Sequence, residues 1–127
     1  MTHFNFPTTG TTVLILDDQG TSRAILTQIV RGLGSGLQVQ EETTPDSALA
    51  WTGMHIADLV LVDYVMPGMN GIDFIQRLRQ IAGYEHVPVI MITIKQDTQT
   101  RYAALDAGVT FLKAFFSITL PIIPKFE

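Results

Sequence analysis

The chain has 127 residues, 46% of them hydrophobic and 16% charged, with no cysteine; it is apolar enough to bury one domain core, too apolar for disorder, and has no thiol for a disulfide, a thiolate metal site or a cysteine nucleophile. Eight Lys and Arg against twelve Asp and Glu leave a net charge of −4, which disfavours direct binding to nucleic acid, whose phosphates call for a basic surface. The longest apolar-rich stretch, 114–124, is too short to span a bilayer and carries two prolines, and the start MTHFNFPTTG lacks the pattern of a signal peptide, so a cytoplasmic domain with no membrane partner is expected.

Residues 1–11 read as a flexible lead-in. Val13-Leu14-Ile15-Leu16 is a continuous apolar run that ends in Asp17-Asp18. Ile25, Leu26, Ile29, Val30 and Leu33 then recur at the spacing of one helix face, and Gly32, Gly34 and Gly36 close it. The GLGSG stretch follows a helix instead of a strand, so it reads as a stop and turn rather than a phosphate loop. Leu37–Gln40 alternates like a strand with one wet face. Thr44-Pro45-Asp46 starts a helix, with a hydroxyl cap, proline at the first position and an acid in the first turn. That helix stops near Gly53.

Leu59–Val62 is a second buried run, again ending in an acid, Asp63, and followed by the loop YVMPGMNG. Ile72, Ile75, Leu78 and Ile81 mark one stripe of a helix that ends at Gly83. Residues 87–92 form another apolar run, ending in Thr93. Residues 97–107 read as a helix stopped by Gly108, and 109–115 as a fifth strand. The order βαβαβαβαβ, with runs apolar on both faces, predicts an α/β fold built on a doubly wound parallel sheet. The domain is expected over 12–116, with 117–127 as an atypical tail.

In open α/β sheets, sites form beyond the carboxyl ends of the strands. Those ends carry Asp17 and Asp18, then Asp63, then Thr93, with Lys113 near the end of the fifth strand. Two carboxylates 4 Å apart repel by about 4 kcal/mol at an effective dielectric near 20. A hard cation such as Mg²⁺ relieves that repulsion and leaves room for phosphate oxygens. A carboxylate can itself be the nucleophile that forms an aspartyl phosphate, and Thr93 can donate to a phosphoryl oxygen. His3, His55 and His86 are scattered without a partner pattern, which argues against a phosphohistidine carrier.

LILDDQ, LVLVDYVMPGMNG, VIMIT and the late FLK resemble the receiver domain of two-component response regulators over residues 12–115. The resemblance implies a flavodoxin-like five-stranded sheet in the order 2-1-3-4-5 and phosphorylation of Asp63 by a sensor histidine kinase or a histidine phosphotransfer domain. It implies Mg²⁺ held by Asp17, Asp18, Asp63 and the backbone carbonyl of Val65. Thr93 and Lys113 would contact the phosphoryl group. A narrower likeness, through ILDDQ, MITIK and RYAALDAGV, is to receivers attached to HD-GYP-type cyclic di-GMP phosphodiesterases. An output domain in a parent protein and a homodimer are further expectations.

The chain departs from the family pattern after Gly108. Residues 108–116 lack two positions and the usual proline, so if Phe111 keeps the family's aromatic place, the lysine register falls on Ala114 unless a bulge restores Lys113. Pro121 and Pro124 oppose the family's final helix. An alternative is therefore a degenerate receiver that binds partners without phosphorylation. A phosphatase of the haloacid dehalogenase type also uses a strand-end Asp, but it wants an acid two residues on, where this chain has Val65.

Overall fold

A computed structural model describes residues 10–93, 98–109 and 111–114, with Thr93 and residues 111–114 described as backbone. Strands and helices alternate through β1 (Thr12–Leu16), α1 (Gly20–Arg31), β2 (Gln38–Glu42), α2 (Pro45–Thr52), β3 (Leu59–Asp63), α3 (Gly71–Leu78), β4 (Val89–Thr93), α4 (Thr98–Asp106) and β5 (Phe111–Ala114). All strand pairs are parallel, in the order β2-β1-β3-β4-β5. This is the flavodoxin-like sheet that the resemblance implied.

Successive strand residues point to opposite faces, and both faces of the central strands are covered. Leu14 and Leu16 of β1 join Val60, Val62 and Met91 in a core with Ala48 of α2, Phe74, Ile75 and Leu78 of α3, and Ala104 of α4. Val13 and Ile15 join Leu61 and Ile92 on the other face, against Leu26 and Val30 of α1. Burial on both sides is why these strands read as unbroken apolar runs. The edge strand β2 is only partly covered and keeps its Gln and Glu residues.

The helix starts follow local chemistry. Thr44 Oγ1 accepts the Ser47 amide at 3.0 Å with Pro45 at the first position, and Asn70 Oδ1 accepts the Asp73 amide at 2.9 Å. The N-cap of α1, Gln19, offers no side-chain cap.

Four expectations shift in detail. Ile25 and Leu33 are 44% and 56% exposed, and Leu26, Thr27 and Val30 form the buried face of α1. Leu33 falls beyond the helix, which ends at Arg31, and so leaves its period. The third helix stops at Leu78, because the amides of Gln80 and Ile81 bond three residues back in a tighter turn. The strand foreseen from residue 87 begins at Val89: Pro88 has no amide to give and contributes only its carbonyl, to the Val60 amide at 3.0 Å. Val109 ends the preceding helix by bonding the Ala104 carbonyl, so β5 begins later, at Phe111. The expectations for the lead-in up to residue 9 and for the tail 117–127 lie outside the described residues.

Candidate functional site

β1 lies between β2 and β3, so the order of the strands reverses there, and the carboxyl ends of β1 and β3 flank the switch point. Leu16 pairs with Val62, which brings the next residues, Asp17 and Asp63, side by side. One carboxylate oxygen from each of Asp17, Asp18 and Asp63 lies within 4.8 Å of the others. Three acids from two strand ends thus share one small volume.

Their surroundings differ. Asp17 is 2% exposed. Its Oδ1 accepts the Gln19 amide at 2.9 Å and its Oδ2 accepts the Ser22 hydroxyl. Its carbonyl accepts from Arg23 Nη1 at 2.8 Å, and the same guanidinium pairs through Nε with Glu41 at 2.9 Å. Its amide donates to the Glu42 carbonyl at 3.1 Å. Asp18, by contrast, has a buried Oδ1 with no hydrogen-bond partner among the described residues. Asp63 is half-buried, and burial first, then the charge of Asp17, push its carboxyl up to about 6. The Val65 amide reaches Asp63 Oδ1 only at 3.4 Å.

An orphaned, buried carboxylate oxygen beside two further carboxylates is an unfavourable arrangement by itself. A hard cation with a preference for oxygen ligands relieves it, and the all-carboxylate donor set fits Mg²⁺.

β4 reaches the same edge. Asp63 pairs with Ile92, and the Tyr64 amide donates to the Ile92 carbonyl at 2.9 Å, so Thr93 ends its strand beside the end of β3. β5 pairs with β4 without a bulge, setting Lys113 opposite Ile92 and Ala114 opposite Thr93. The Thr93 hydroxyl and the Lys113 ammonium lie outside what is described. In the loop after Asp63, Met66 is buried in the core, Met69 packs against it, and Val65 is 54% exposed.

Sequence reasoning passed over Ser22 and Arg23, which hold Asp17, and Gly71, which packs on the end of β3. A hydroxyl at the third position of the helix that follows the acid pair was the available signal for Ser22.

Residues 13–113 match the response regulator receiver domain family. The chain belongs to that family. This receiver domain is 36% identical over 110 residues to chemotaxis protein CheY-3 of Vibrio cholerae, covering 85% of this chain and 84% of that protein. It is 40% identical over 100 residues to the cyclic di-GMP phosphodiesterase response regulator RpfG of Xanthomonas campestris, covering 79% of this chain but only 26% of that protein. The solved structure of the Vibrio cholerae chemotaxis response regulator CheY4 superposes with a TM-score of 0.73 at 24% identity over 80% of this chain and 83% of that one, a likeness of fold. The receiver reading therefore holds, and nothing favours the degenerate alternative. Among the described residues, no helix is long and apolar enough to cross a membrane.

Proposed function

We propose that this receiver domain takes a phosphoryl group onto Asp63 from the phosphohistidine of a sensor histidine kinase or a histidine phosphotransfer domain. The reading is carried by the cluster of Asp17, Asp18 and Asp63 within 4.8 Å at the switch point of the sheet. An Asp63 carboxylate oxygen attacks phosphorus in line. The new P–O bond forms as the P–N bond breaks, and the leaving imidazole takes a proton from solvent. Asp17, Asp18, Asp63 and the Val65 carbonyl would hold Mg²⁺, which when bound neutralises charge on the phosphoryl oxygens. Thr93 donates its hydroxyl to a phosphoryl oxygen; the positive charge is assigned to Lys113, which stands one residue before the family's lysine register because β5 carries no bulge. The added charge of about −1.5 to −2 then alters which partners the domain surface binds. A cytoplasmic location, an output domain in a parent protein and a homodimer fit this reading.

Intact-mass analysis after incubation with a small acyl phosphate and Mg²⁺ tests it. One phosphoryl group should be gained, the gain should need the cation, and Asp63→Asn should abolish it. A gain that survives in Asp63→Asn would move the nucleophile elsewhere, and no gain in the parent chain would leave a receiver that only docks.

A further inference from the structure

Asp17 stays turned toward Asp18 and Asp63 although all three are acids. Against two neighbouring carboxylates, the Asp17 side chain gains by rotating away. Two donors oppose that rotation. The Gln19 amide holds Oδ1 at 2.9 Å, and the Ser22 hydroxyl holds Oδ2. The amide alone would leave the carboxylate free to pivot about Oδ1, and the second donor removes that pivot.

Among the described residues, Ser22 has one competing acceptor, the Gln19 carbonyl at 3.2 Å. A hydroxyl has a single proton, and an ionised carboxylate is the stronger acceptor, so the proton goes to Asp17. The bond also repairs the start of α1. The side chain of its N-cap Gln19 makes no capping hydrogen bond, and Asp17 takes over by receiving the Gln19 amide and the hydroxyl from the first turn. One serine thus ties the helix start to the acid cluster.

We propose that Ser22 is a positioning residue for the cation site: its hydroxyl locks the Asp17 carboxylate in the cluster and so sets the affinity for a divalent cation. This rests on the cation reading given above. Partners that orient a metal ligand typically change affinity by 10–100-fold when removed.

The test uses the full chain with Mg²⁺ alone as the probe, by titration calorimetry and by following the Gln19 amide resonance. Ser22→Ala should weaken Mg²⁺ binding by roughly tenfold or more. It should also reduce the shift of the Gln19 amide on adding Mg²⁺. Alanine is the best helix former, so the variant is expected to stay folded, and circular dichroism checks this. Ser22→Thr, which restores a hydroxyl, should recover most of the affinity, a rescue that a merely structural role would not require. Unchanged or tighter binding in Ser22→Ala, or no recovery in Ser22→Thr, overturns the proposal while the cation site stands. No Mg²⁺ binding by the parent chain overturns both.

Discussion

A Cβ placed on Gly71 would stand 2.6 Å from the carbonyl oxygen of Asp63 and 3.0 Å from Tyr64 Cα. The Gly71 amide donates to the Tyr64 carbonyl at 2.8 Å, so the first residue of α3 is pressed onto the end of β3. Both contacts are backbone, which has little room to give. Gly71→Ala should therefore force the loop after Asp63 apart, at a cost of about 1–3 kcal/mol. Urea unfolding should show the loss of stability, and Mg²⁺ titration a weakened site. Wild-type values in both measurements would show that the close approach is not needed.

The Asp63 carboxyl, raised from 3.8 to about 6 by burial and by Asp17, predicts a pH dependence. Between those values the folded state holds a proton that the unfolded state has released. Stability of the metal-free protein should therefore fall as pH rises through this window, and Asp63 contributes nothing further above it. Asp63→Asn should flatten that part of the profile. Protons and cation compete for the same oxygens, so Mg²⁺ affinity should drop below about pH 6. Denaturant unfolding across pH, with and without Mg²⁺, reads both effects. A rise in metal-free stability across the window would contradict the assignment.

Arg79 is expected to matter for folding rather than chemistry. Its guanidinium donates to the carbonyls of Tyr84 at 2.9 Å and Val87 at 2.7 Å and also to that of Gly108, joining the turn after α3 to the turn after α4. Gly108 has φ +99, and a Cβ there would meet Arg79 Nε at 2.9 Å. Arg79→Ala should cost about 2–4 kcal/mol by leaving carbonyls without a charged donor. Arg79→Lys should recover little, because an ammonium cannot span the same set of acceptors. Equilibrium unfolding of the two variants measures this.

Loss of the phosphoryl group from Asp63 should be slow. Val65, two residues on, is 54% exposed beside the acid, and its side chain offers no hydrogen bond to orient an attacking water. Val65→Asn should shorten the phosphoryl lifetime several-fold, read as the decay of the phosphorylated mass. An unchanged or longer lifetime would refute the water-orientation argument. Lys95, the position two residues after Thr93 that flanks the phosphoryl group in the same way, lies outside the described residues.

The start of α2 was legible because it is local. Thr44, Pro45 and Asp46 settle it within one turn, whereas the Asn70 cap of α3 emerged only in the structure. The runs Val13–Leu16 and Leu59–Val62 were legible because strands buried on both faces need apolar residues at every position. With motif resemblance added, the acids at the strand ends could be named as a group.

Tertiary structure decided the rest. Which side of α1 is buried depended on where the sheet stood, and Ile25 and Leu33 were left outside. The approach of Asp17 to Asp63 depended on Leu16 pairing with Val62. The roles of Ser22 and Gly71 depended on what α1 and α3 were brought against. Periodicity records whether a residue will be covered, not by what. The distance between two side chains far apart in sequence is set by strand register and helix packing, which form cooperatively from the whole set of contacts.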